Sequence, residues 1–127
     1  MGRVFRVVLD TNFLVDMFRF KLGFDDVEDA LGGNCEFVMI EQSVAELRRL
    51  KNVNAKVGAG FVDSGKIKVA KAGRASEKSA DEAIVELAEK RKPDVVVATN
   101  DKKLRKRIKA SGVRTIYLRA RKRLEVS

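Results

Sequence analysis

An α/β fold built on a parallel sheet is what this sequence predicts, and three observations predict it. Short runs of branched apolar residues alternate with stretches of helical periodicity along the whole chain. Two of those runs, Val7-Val8-Leu9 and Val95-Val96-Val97-Ala98, are apolar without alternation, as expected of strands covered on both faces. Each leads through a polar cluster containing Asp into a helix: Asp10-Thr11-Asn12 after the first, Thr99-Asn100-Asp101 after the second. In open α/β sheets, ligands gather at the edge where parallel strands give way to helices. The two aspartates therefore point to one site with a carboxylate floor.

Val4 to Leu9 reads as the first strand, and Phe13, Leu14, Met17 and Phe18 then recur at helical spacing. Phe24 to Leu31 reads as a short acidic helix ended by Gly32-Gly33. Cys35 to Ile40 is the second strand, and Glu41 to Lys51 a helix with Val44, Leu47 and Leu50 apolar and Glu46 on the shoulder of that stripe. Over residues 52–65, Val53, Val57 and Phe61 keep a four-residue spacing, so we read a helix even though Gly58 and Gly60 weaken it. Lys66 to Ala70 alternates like an edge strand, and 71–78 has no period and reads as a loop over the site, with Arg74 a candidate phosphate clamp.

Ser79 with Glu82 three residues on fits a capping box, opening a helix over 80–91 whose stripe is Ile84, Leu87 and Ala88. Asp81 stands at the top of its inward face. Asp94 to Ala98 is the next strand. Asn100 is placed to cap a helix running to Ser111, with Leu104 and Ile108 inward and Gly112 closing it. Val113 to Leu118 is the last core strand, and the tail 119–127 either continues it or adds a short strand through Leu124 and Val126. Residues 1–127 read as a single domain, without repeat, linker or low-complexity segment.

Composition narrows the chemistry. There is no histidine, which excludes Ser-His-Asp and Cys-His triads, His-based zinc sites and two-His ribonuclease chemistry. The single cysteine, Cys35, precedes Phe37-Val38-Met39-Ile40 and reads as a small core residue; with no disulfide, secretory pattern or long apolar run, a cytoplasmic location without membrane contact is expected. The net charge is +9, and all of it lies in residues 101–127, where eleven Lys/Arg face only Asp101 and Glu125. A stripe of this kind attracts phosphates; a solvated helix face would look the same in isolation.

Asp10, Glu46, Asp81 and Asp101 each have a plain structural role available, at a helix amino terminus or in a surface ion pair. Gathered on one edge they would repel one another and raise one another's pKa values unless a cation neutralised them. With oxygen ligands only, the fitting ion is hard: Mg²⁺ or Mn²⁺.

Taken together, Val8-Leu9-Asp10-Thr11-Asn12, Ala45-Glu46-Leu47, Ala80-Asp81-Glu82-Ala83-Ile84 and Ala98-Thr99-Asn100-Asp101-Lys102-Lys103-Leu104 resemble, in order and spacing, the PIN-domain ribonucleases over nearly the full chain. The last segment is most similar to the branch of small-subunit ribosomal RNA processing nucleases and their small prokaryotic relatives. The resemblance implies a three-layer α/β/α fold with a five-stranded parallel sheet of order 3-2-1-4-5. It implies a cleft for one or two divalent ions, with Asp10, Glu46, Asp81 and Asp101 as ligands and catalytic acids and Asn12 and Thr99 in support. The activity implied is metal-dependent hydrolysis of RNA phosphodiesters, in ribosomal RNA processing. A ribonuclease toxin of the virulence-associated C type, with an antitoxin partner, would share every motif; a non-catalytic module docking on ribosomal RNA is the alternative outside enzymes. The resemblance alone suggests a homodimer. Lys102, Lys103, Arg105 and Lys106, and in the tail Arg119, Arg121, Lys122 and Arg123, would hold the RNA backbone, while Tyr117 is one of few rings available for stacking, so weak sequence preference is expected.

Overall fold

The computed structural model describes residues 4–71, 79–91, 93–120 and 123–127. Twelve elements follow in order: β1 (Val4–Leu9), α1 (Thr11–Arg19), α2 (Phe24–Leu31), β2 (Asn34–Ile40), α3 (Glu41–Arg49), α4 (Val53–Asp63), β3 (Ile67–Ala70), α5 (Ala80–Arg91), β4 (Val95–Ala98), α6 (Lys102–Ala110), β5 (Arg114–Arg119) and β6 (Arg123–Val126). The sheet order is β3-β2-β1-β4-β5-β6. The first five strands are parallel, as expected. Of the two readings of the tail, the short strand through Leu124 and Val126 is the one found: β6 runs antiparallel to β5 and adds a sixth strand to the five the resemblance implies.

The unbroken apolar runs resolve into two faces. Phe5, Val7 and Leu9 of β1, Phe37 and Met39 of β2, and Val96 and Ala98 of β4 enter one core with α1, α2, α3 and α4. Val8, Ile40, Val95 and Val97 enter the other, with α5 and α6. Alternate side chains of a strand point to opposite faces, and both faces here are covered, so every position of the Val7-Val8-Leu9 and Val95–Ala98 runs is apolar. Fully burying one such Val or Leu contributes roughly 1.5–3 kcal/mol.

The predicted stripe of α4 is the clearest departure. Val53 and Val57 face out, at 75% and 42% exposure, while Ala55 and Gly58 are buried and Phe61 is half-buried. A Cβ on Gly58 would lie 3.0 Å from Leu14 Cδ2 and 3.4 Å from Leu47 Cδ2. The helix presents its small residues because α1 and α3 approach it too closely for anything larger. Asn52 offsets the poor helix formers by capping, its side chain accepting from the Ala55 N–H at 2.8 Å. Phe61 then stacks on Phe18 and meets Phe24 edge-on, with centroids 5.6 and 5.0 Å apart. Cys35 is half-buried beside Glu28 and Lys66, and burial pushes its thiol up to about 11, in keeping with a packing role. Among the described residues, no helix is long and apolar enough to cross a membrane.

Candidate active site

Strand register alone brings the first two motifs together. β1 and β4 are parallel neighbours with Leu9 opposite Ala98, so Asp10 and Thr99 leave the sheet side by side. The Asp10 N–H continues the ladder onto Ala98 O at 2.9 Å, and Thr99 Oγ1 donates to Asp10 Oδ2 at 2.8 Å. Thr99 Oγ1 also accepts the Asp101 N–H at 3.1 Å. One fully buried hydroxyl therefore sets both aspartates at the carboxyl edge of the sheet.

Asp10 and Asp101 meet their helices differently. Asp10 occupies the N-cap of α1 without a side-chain capping bond. It is Asp101 that caps α6, its Oδ1 accepting from Lys103 N–H at 2.8 Å and Leu104 N–H at 3.3 Å. Asn100, expected to cap that helix, instead ties three elements together: its Nδ2 donates to Asp16 Oδ2 at 3.1 Å and its Oδ1 accepts the Leu118 N–H at 2.9 Å. The exchange has a simple cause. The chain leaves β4 in an extended conformation for one residue longer than the capping pattern suggested, and α6 begins at Lys102.

The other two acids come from separate helices. Thr11 Oγ1 donates to Ser43 O at 2.9 Å, pinning the start of α1 to the first turn of α3, one turn before Glu46. Ser79 caps α5, its Oγ accepting from the Glu82 N–H at 3.2 Å, which sets Asp81 in the first turn. Electrostatics links all four. Burial raises the Asp10 pKa, the Thr99 hydroxyl partly opposes this, and Asp81 and Glu46 each push it further up. Partial loss of hydration raises Glu46, with Asp81 adding and Arg49 opposing. Asp81 is raised first by burial and then by Asp101, against Arg107. Asp10, Glu46 and Asp81 thus share one field, with Asp101 acting on Asp81, and Arg49 and Arg107 oppose the raising only in part.

As donors, four carboxylates without histidine or thiolate suit a hard, oxygen-seeking cation. Among the described residues, no three acidic side chains are already gathered tightly enough to hold an ion as they stand. Mg²⁺ binds through one or two carboxylates and keeps much of its water, so the donor set fits such an ion bridged by water.

Of the supporting residues expected, Thr99 is central, whereas Asn12 is exposed on the first turn of α1 and takes no part in the bonds joining Asp10, Thr99 and Asp101. Lys102, Lys103 and Lys106 are exposed and Arg105 is half-buried. Arg119 reaches Glu125 at 3.0 Å and Arg123 approaches it at 3.9 Å, so both tail arginines are partly committed within the β5–β6 hairpin. Arg74, Arg121 and Lys122 lie outside the described residues. Two further residues belong to this edge. Asp16 is marked in the sequence only as a lone acid within the apolar stripe of α1. Ser43 is fully buried, and its hydroxyl has no hydrogen-bond partner among the described residues.

The fold that positions these residues is one that known proteins share. A family model described as a PIN like domain matches residues 7–121. This chain belongs to the PIN-like domain family. Ribonuclease VapC4 of Methanocaldococcus jannaschii is 34% identical over 128 residues, covering 97% of each chain. A solved structure of the PIN domain endonuclease Utp24 superposes with a TM-score of 0.82, covering 96% of this chain and 90% of that one at 23% identity, which establishes the fold in common. The PIN domain of this chain thus carries the expected sheet order, with β6 added at the β5 edge.

Proposed function

We propose that this PIN domain is a divalent-metal-dependent ribonuclease that hydrolyses RNA phosphodiesters at the cleft of Asp10, Glu46, Asp81 and Asp101. The observation that carries the reading is geometric: strand register and the Thr99 hydroxyl bring Asp10 and Asp101 to the sheet's carboxyl edge. There burial first, and neighbouring carboxylates second, raise Asp10, Glu46 and Asp81, an arrangement that costs stability unless a cation occupies it. The ribonuclease name of the 34% identical relative supports RNA as the substrate.

Asp10, Glu46, Asp81 and Asp101 would hold the ion. When bound, Mg²⁺ or Mn²⁺ supplies Lewis-acid stabilisation of phosphoryl charge and lowers the pKa of water at the site. Thr99 favours the ionised form of Asp10 by donating to it, against burial, and fixes Asp101 by accepting its N–H. Asp101, held by two amides of α6, keeps one carboxylate oxygen fixed by the helix. Lys102 and Lys103 follow at once and neutralise the backbone phosphates that the acids alone would repel.

Within that activity, ribosomal RNA processing is the role we assign. A toxin held by an antitoxin partner is the second reading, favoured by the full-length likeness to Ribonuclease VapC4. End-labelled single-stranded and stem-loop RNAs, incubated with Mn²⁺, Mg²⁺ or EDTA, test the chemistry. Cleavage that needs the ion and vanishes in Asp101→Asn is expected; cleavage that survives both EDTA and the substitution would sink the metal site. Growth arrest on expression, relieved by Asp101→Asn, would favour the toxin role.

A further inference from the structure

The basic carboxyl-terminal quarter of the chain is not one uniform stripe. The Arg107 charge opposes the raising of Asp81. Arg119 and Arg123 are drawn to Glu125. Tyr117 Oη also donates to Glu125, at 2.9 Å, and this bond, followed by Arg119, holds the Glu125 carboxyl below its usual range. The acid most able to neutralise this face is therefore occupied on the hairpin itself.

What remains is a pocket of about 250 Å³ between α6, β5 and β6, lined by Lys102, Arg105, Lys106, Lys109, Tyr117 and Ser127. Four of its six lining side chains are cationic and none is acidic. Its floor is ordered: the Arg105 guanidinium lies over the Tyr117 ring with Cζ 3.8 Å from the centroid. Stacking of this kind holds the guanidinium in one orientation. The Arg105 Nε is buried without a hydrogen-bond acceptor among the described residues. With that donor unpaired among the described residues, an anion seated in the pocket would meet a guanidinium charge not already committed through it. The hairpin supplies the far wall, and Thr115 and Ser127 lock it in place by exchanging two backbone bonds of 2.8 Å.

We propose that this pocket is a phosphate subsite for single-stranded RNA, which grips the backbone on one side of the cleavage point. The proposal rests on the nuclease reading for the identity of the polyanion. Its placement follows from the helix: Lys102 adjoins Asp101, and Lys109 lies about 10 Å further along α6 at 1.5 Å per residue. A strand lying along Lys102, Lys106 and Lys109 is thus held over several ångströms beyond the acidic cleft. Phosphate contacts position a strand without reading its bases. The guanidinium of Arg105, already backed by a ring, offers a flat face to an unstacked base. The subsite accordingly favours unpaired RNA, and it contributes to substrate binding more than to the chemical step.

Binding of a short fluorescein-labelled single-stranded RNA, followed by anisotropy in EDTA over a range of KCl, tests the subsite without any cleavage. Lys106→Gln and Lys109→Gln alter exposed side chains. Each should lower the magnitude of the salt slope by about one and weaken binding roughly three- to tenfold at moderate salt. Lys56→Gln on α4 removes the same charge from the opposite layer and should change neither. Tyr117→Phe keeps the platform and should bind RNA better than Tyr117→Leu. With metal present, Lys109→Gln should raise KM and leave kcat within about twofold. Equal effects from Lys56→Gln and Lys109→Gln, or no change in slope from either pocket lysine, would overturn the subsite in favour of diffuse attraction or of an acidic protein partner. Altered slopes in a protein that cleaves no RNA would uphold the subsite and defeat the nuclease reading instead.

Discussion

Asp10 and Asp101 end neighbouring parallel strands and open the next helices, yet the two junctions treat them in opposite ways. Asp10 is buried, with 6% of its surface exposed, and apart from Thr11 its main support is one hydroxyl. Asp101 is exposed, and two amides of α6 hold it. The difference teaches that one structural slot can hold an acid for two reasons. Asp101 stabilises its helix whether or not an ion is present. Asp10 makes no side-chain capping bond and burial disfavours its charge, a cost that an ion would offset under the proposed function.

Substitutions at the two junctions sharpen that contrast. The largest effect is on turnover: Asp10→Asn and Asp101→Asn should each lower metal-dependent RNA cleavage by about a thousandfold, about 4 kcal/mol at 1.36 kcal/mol per decade, measured in single-turnover assays. Thr99→Val comes next. It strips Asp10 of its donor and Asp101 N–H of its acceptor in a fully buried place, and should cost about 2 kcal/mol in denaturant unfolding. Asp101→Ala should cost about 1 kcal/mol by loss of the cap, while Asp101→Asn, also a good capping residue, should cost only a few tenths. Equal losses from Asp101→Ala and Asp101→Asn would break the comparison.

The smallest effect is on the pH dependence of the metal-free protein. Asp10, Glu46 and Asp81 have raised pKa values in the folded chain, so over the interval above their ordinary values of 3.8, 4.5 and 3.8 the folded state keeps protons the unfolded chain has lost. Fewer protons on the unfolded state mean that stability falls as pH rises through that interval. In EDTA the melting temperature should therefore decline from about pH 4 towards neutrality. Asp10→Asn should flatten the decline, and millimolar Mg²⁺ should restore the neutral-pH value in the wild type only. A curve rising with pH in EDTA would contradict the coupling.

Much of this was legible in the sequence because the strands are covered on both faces: Val95-Val96-Val97-Ala98 admits few other readings, and register then carries Asp10 to Thr99. The misreadings share a cause in packing that no local pattern reports. Val53 and Val57 look like a buried stripe until Leu14 and Leu47 are seen closing on Gly58. Asn100 and Asp101 are both good capping residues, and the backbone exit from β4 decides between them. The basic tail reads as charge alone, whereas the pairing of Glu125 with Tyr117 and Arg119 divides it into committed and open cations. Lys109 was hidden for that reason, since nothing in its neighbours distinguishes it from any lysine of a solvated helix.

β6 has a consequence for how copies of this protein meet. It occupies the hydrogen-bonding edge of β5, and the sheet's outer strands are thereby reduced to β3 and β6, each four residues long and each carrying a basic side chain, Lys68 or Arg123. Short, charged borders are poor templates for another chain's backbone. Trimming residues 123–127 would expose the six-residue β5 to a foreign strand, and the sample should then turn from a well-behaved solution into one that exchanges strands or gels on concentration.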